Sequence, residues 1–93
     1  MIDIENAKNI GPITAAELKN VGVKSLQKLK EIGAEEAFQL VIDQYPERLN
    51  FNFLLALSGA CNDLDWREIP AKEKESLKIF IKKIKIQFEK GLL

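Results

Sequence analysis

Apolar residues return at every third or fourth position along almost all of this 93-residue chain, and no stretch alternates like a half-buried strand. That pattern excludes a sheet. It predicts an all-α bundle of about five to six helices, the last one long. Glycine and proline then divide the chain. A short first helix is expected over Asp3 to Lys8. Pro12 suits the first turn of the next helix, which Gly22 ends, with Ala15, Leu18 and Val21 on its apolar side. Ser25 reads as the N-cap of a helix that buries Leu26, Leu29 and Ile32 and stops at Gly33. Another follows from Ala34 to Gln44 with Ala37, Phe38, Val41 and Ile42 inward. Glu35 and Glu36 sit in its first turn, where the helix dipole favours negative charge, and Tyr45-Pro46 closes it.

After the polar link PERLN, a helix starting near Asn50 or Asn52 and reaching Cys61 is apolar nearly all round, which marks it as the central core element. NDLDW is a turn, and Pro70 lies near the start of the final helix. There Leu77, Phe80, Ile81, Ile84 and Phe88 form one stripe, while Ile79 and Ile86 lie half a turn away on the opposite side. A second apolar face on a terminal helix needs a cover, either another element or a partner chain. Ile79 and Ile86 are therefore candidate partner-binding residues, for a protein partner or for self-association through the C-terminal helix. The whole chain, 1–93, reads as one domain.

A faint repeat divides that domain. Asn9-Ile10-Gly11 and Glu31-Ile32-Gly33 are followed at matching offsets by Ala15 and Leu18, then by Ala37 and Leu40. The expectation is a doubled helix-hairpin-helix over 1–46, with the central helix, the Trp66 turn and the C-terminal helix over 47–93.

The stretch NIGPITAAELKNVG carries the chemistry worth testing. A helix N-terminus offers unpaired N–H groups and a positive dipole end, which attract phosphate. The donors here are the amides of Gly11, Ile13 and Thr14, Gly11 lets a ligand approach closely, and Lys8 and Lys19 add sequence-independent attraction. These five residues form the candidate nucleic-acid site, for weak DNA binding without sequence specificity. Asn9 stands where such hairpins carry a glycine, and asparagine tolerates the positive φ required there. Ile13 suits packing against another helix better than facing phosphate.

Charge bears on the same question. Lysine plus arginine and aspartate plus glutamate both number 14, so the net charge is zero and strong non-specific nucleic-acid binding is not expected. The charges are segregated all the same. From Lys8 to Lys30, the five lysines Lys8, Lys19, Lys24, Lys28 and Lys30 stand against one acid, Glu17. Glu31, Glu35, Glu36, Asp43 and Glu47 follow without a lysine, and Lys78, Lys82, Lys83, Lys85 and Lys90 make the final helix basic.

Enzyme chemistry finds few reagents. With no histidine there is no imidazole base or ligand, and Cys61 reads as core. Asp63 and Asp65 have too few companions for a metal cage, and no phosphate-loop or dinucleotide fingerprint occurs. No catalysis, cofactor or metal is expected. The polar N-terminus, the lone cysteine and the shortness of FLLALSGAC predict a cytoplasmic protein with no membrane partner.

NFLLALSGACNDLDWREIPAKEKESL resembles the signature of the TfoX (Sxy) C-terminal domain family. The matching residues are Asn52, Ala56-Leu57, Gly59-Ala60, Trp66, Ile69-Pro70 and Leu77. NIGP and LKNVGVKSLQKLKEIGAEEAF resemble the family's first half, so the likeness runs from Asn9 to Leu77; Asp63 and Asp65 depart from it. The resemblance implies an all-helical bundle of SAM or helix-hairpin-helix type and no catalytic residue. It also implies kinship with regulators of natural competence that act in transcription, where this domain follows a separate N-terminal one. The 93 residues are expected to be the C-terminal module alone. Trp66 is expected as a lid over the central helix, with Gly59 and Ala60 allowing close packing. The functional expectation is a non-catalytic regulatory module that touches nucleic acid weakly through NIGP. The alternative is a protein-interaction module.

Overall fold

The computed structural model describes residues 3–91. Five α-helices make the bundle: α1 (Pro12–Asn20), α2 (Leu26–Ile32), α3 (Ala34–Gln44), α4 (Phe51–Cys61) and α5 (Ala71–Glu89). Three 3-10 turns, Ile4–Asn6, Pro46–Arg48 and Trp66–Glu68, join them. Helix α4 is the centre. Its Phe53, Leu54, Leu55, Leu57 and Ala60 are buried, and α2, α3 and α5 pack round it. Asn50 caps it, the side-chain oxygen accepting from Phe53 N at 2.8 Å, as Ser25 caps α2 through Lys28 N at 3.1 Å. On α5, Leu77, Ile81 and Ile84 are buried, and Phe80 and Phe88 are half-buried against the core.

The first helix expected over Asp3 to Lys8 is only the 3-10 turn Ile4–Asn6. Asp3 forms an isolated antiparallel bridge with Ser25, and Ala7 is extended, so no further helical turn can form. Val21, expected inward on α1, is only half-buried because α1 ends one residue earlier, leaving Val21 as its C-cap. Gly22 adopts φ 93°; its N–H donates to Lys19 O at 3.1 Å, and Val23 N donates to Leu18 O at 2.8 Å. These two bonds define a Schellman stop, and Val23 takes the buried place beside Leu18. Helix α4 ends the same way. Asp63 N donates to Ala60 O at 3.3 Å and Leu64 N to Gly59 O at 2.8 Å, with Asp63 itself at φ 57° where glycine is the usual residue.

Gly11 and Gly33, the repeat glycines, each stand at the N-cap of a helix, α1 and α3. Ala15 and Ala37 are both buried, whereas Leu18 is buried and Leu40 is exposed.

The two halves of the chain are fastened at Asn9. Its backbone is left-handed, φ 68°, which aims the side chain at the far end of α4. Nδ2 donates to Leu64 O at 2.9 Å and to Ala56 O at 3.3 Å, while Oδ1 accepts from Trp66 N at 3.2 Å. One carboxamide thus satisfies two carbonyls and an amide that lie 47 to 57 residues away. The fit explains Gly59. A Cβ there would stand 2.5 Å from Asn9 Nδ2 and 2.6 Å from Leu64 O, so the close approach that Gly59 permits is by this clasp and not by a neighbouring helix.

Replacement of Asn9 separates backbone from side chain. Asn9→Gly keeps the left-handed turn and loses the hydrogen bonds. Asn9→Ala loses the bonds and adds a strained φ, so urea unfolding should rank wild type above Asn9→Gly above Asn9→Ala. The full loss is about 2–4 kcal/mol, of which the backbone accounts for roughly 1–2. Gly59→Ala should cost about 1–3 kcal/mol by forcing the clasp apart.

Candidate functional site

The turn after Asn9 is open. Gly11, Pro12 and Ile13 are exposed, nothing lies near the position a Gly11 Cβ would take, and no side chain caps α1. The first-turn amides therefore lack the usual capping oxygen. Ile13 is 76% exposed, so the helix packing expected for it does not occur among the described residues. The turn projects from the bundle because Asn9 holds its base on α4.

The other site residues have intramolecular neighbours. Thr14 Oγ1 accepts from Arg48 Nη2 at 2.8 Å. Arg48 also lies with its guanidinium 4.2 Å above the Phe53 ring, and its Nε is 2.9 Å from Glu17 Oε1. That last pair is off the N–H axis, so the two buried atoms attract as charges without a hydrogen bond between them. Arg48 therefore pins α1 to the 3-10 turn before α4. Lys19 Nζ stands 3.7 Å from Glu5 Oε2 across an exposed gap. Lys8 is exposed and near enough to Asp65 to help hold its carboxyl down. The structure thus leaves an open helix start flanked by two lysines that each have an acid nearby.

The turn of Asp65 is structural. Asp65 caps the 3-10 turn Trp66–Glu68 by accepting from Arg67 N at 2.9 Å, and Glu68 Oε1 accepts from Asp65 N at 3.2 Å, a reciprocal capping box. The Arg67 guanidinium grips both carboxylate oxygens and is the main reason the Asp65 pKa falls to about 2. A depressed carboxyl pKa stabilises the fold above its ordinary value near 3.8 and loses that effect as pH falls through about 2. Trp66 corrects an expectation. Its backbone is anchored by Asn9 in a turn packed beside α4, but the residue is 42% exposed and so is a partial cover and not a closed lid.

Ile79 and Ile86 are 57% and 50% exposed on the outer side of α5. Lys82 and Lys83, both exposed, lie between them. Sequence reasoning missed the clasp of Asn9 and Gly59 and, separately, the tie that Arg48 makes with Thr14, Glu17 and Phe53. The positive-φ position was legible at Asn9, but its bonding partners are distant in the chain.

Cys61 is half-buried, with its thiol 3.8 Å from Leu29 O. Burial pushes its pKa up to about 11, with Asp63 adding to the shift and Lys30 opposing it. Among the described residues no group of three or more Cys, Asp or Glu could hold a metal, and no helix is long and apolar enough to cross a membrane.

Comparison with known proteins agrees with this architecture. The family model of the TfoX C-terminal domain matches residues 2–81. A crystal structure of an uncharacterised protein from Listeria monocytogenes, in a triclinic form, superposes with a TM-score of 0.86 at 26% identity, over 89% of this chain and 93% of that one. A comparison with curated proteins finds none that matches.

Two measurements check the site's wiring. Cys61 should react with a disulfide reagent at about pH 8 on the order of 100-fold more slowly than free cysteine, until the protein is unfolded. Arg48→Ala, which strands Glu17 and uncovers Phe53, should lower unfolding free energy by about 1–3 kcal/mol. Arg48→Lys should recover only part of it, since an ammonium cannot serve Thr14 and Glu17 as a fork.

Proposed function

The chain belongs to the TfoX C-terminal domain family, and we propose that it is a non-catalytic regulatory module that docks onto protein through the outer face of α5. The observation that carries this reading is the exposure of Ile79 and Ile86, one above the other on a 19-residue helix whose opposite face already fills the core. A structural helix needs one apolar face; the second is available for a partner. The part in transcription and competence that the family resemblance implies would then run through a protein contact.

A second reading has its own observation. Helix α1 begins uncapped beside Gly11 with open space around it, the geometry that admits a phosphate. Weak contact with a nucleic-acid backbone through Gly11, Ile13 and Thr14, helped by Lys8 and Lys19, follows from that opening. The acids near both lysines and the Arg48 bond on Thr14 favour the protein reading.

Both readings are testable with the intact chain. Under the first, a pull-down recovers a partner, or light scattering shows self-association, and Ile79→Asp with Ile86→Asp abolishes either without changing helicity. A monomer that captures nothing refutes it. Under the second, labelled duplex, nicked and single-stranded DNA bind at low salt, and affinity drops several-fold on loss of Lys8 and Lys19. Absence of binding at low salt removes it.

A further inference from the structure

Two outward stripes of opposite charge run along different helices. On α3, Glu36, Leu40 and Asp43 recur at spacings of four and three on the side away from the buried Phe38 and Val41, and Glu47 follows in the next turn. Leu40, 37% exposed, is the apolar residue between these acids. On α5, Ile79, Lys82, Lys83 and Ile86 occupy the side away from Leu77, Ile81 and Ile84. Among the described residues, Glu36, Asp43, Glu47, Lys82 and Lys83 make no salt bridge. The inner faces of the two helices converge, with the Phe38 and Phe80 rings edge to face at 6.3 Å. The stripes therefore point away from each other's helix and cannot meet within one chain.

We infer that the α5 stripe docks on the α3 stripe of a second copy of this chain. The inference rests on the reading of the outer α5 face as a docking surface, and it names the occupant. Positions i, i+3, i+4 and i+7 outline the four-residue hole that receives a knob when helices pack, and Ile79, Lys82, Lys83 and Ile86 hold those positions. Leu40 is the matching knob. Glu36 and Asp43 are seven residues apart, about 10 Å along the axis, the same span as Ile79 to Ile86. With Leu40 seated, the acids on either side come within reach of the long Lys82 and Lys83 side chains.

Charge also selects the pairing. Two α5 stripes would oppose lysines to lysines, and two α3 stripes acids to acids, so only the unlike pairing is attractive. Each copy carries both stripes, and the contact either closes as a two-fold pair or continues head to tail. One helix laid on another gives a small interface, so the association is weak and sensitive to salt.

The test is sedimentation equilibrium of the full chain from micromolar to millimolar concentration, at low and high salt. The weight-average mass should rise from the 10.5 kDa monomer with concentration, less steeply at high salt. Lys82→Glu with Lys83→Glu, and separately Glu36→Lys with Asp43→Lys, should each stay monomeric. Mixed in equal amounts, these reversed chains should associate again, roughly tenfold or more tightly than either alone. All the altered residues are exposed, and circular dichroism checks that the fold is unchanged. A strictly monomeric wild type, unaffected reversal variants, or a mixture that fails to associate would each overturn the inference. If wild type is monomeric but a pull-down loses its partner on Ile79→Asp with Ile86→Asp, the second copy is excluded and docking through α5 stands. If wild type associates regardless of Ile79 and Ile86, both readings fall.

Discussion

A single carboxamide ties the first half of this chain to the second. Asn9 sits in a left-handed turn and bonds Ala56 O, Leu64 O and Trp66 N, which belong to α4 and the turn that follows it. Buried or half-buried backbone groups at a helix end are costly without partners, so the clasp stabilises by preventing a penalty as much as by adding bonds. It also dictates neighbours. Gly59 must lack a side chain, the chain must turn left-handed at Asp63 just past the end of α4, and Gly11 to Ile13 lie outward beyond the buried Ile10.

The same economy governs the polar groups around the hairpin. Thr14 and Glu17 are held by Arg48, Lys19 has Glu5 beside it, and Lys8 has Asp65 nearby. A turn whose shape suits phosphate thus has most of its charge balanced from within. The charges left without partners among the described residues include the outward ones on α3 and α5. Zero net charge consequently conceals a polarised surface, acidic along one helix and basic along another.

Much of the bundle was legible because local rules decide it. The α1 and α3 starts, the Ser25 cap, the stops at Gly22 and Gly33 and the core stripe of α5 each depend on residues within one or two turns of each other. Misreadings arose where a distant partner intervened. Asp3 to Lys8 has helical spacing, yet the bridge from Asp3 to Ser25 holds its start extended and the extended Ala7 ends it after one 3-10 turn. Trp66 has the bulk of a lid, yet its backbone is fixed by Asn9 with the ring half outside. Ile13 looked like a packing residue, but it is 76% exposed at the start of α1, with the described residues leaving it open.

The sequence by itself determined the all-helical class, the helix boundaries to within about a turn and the two faces of α5, because 3.6-residue periodicity and capping are properties of neighbouring residues. The tertiary structure alone decided what Asn9, Gly59 and Arg48 are for, and that Ile79 and Ile86 face outward without cover. Those roles depend on bonds spanning 34 to 57 residues and on which surfaces are already occupied. Neither quantity is encoded in local spacing. Both appear only when the helices have found their places round α4.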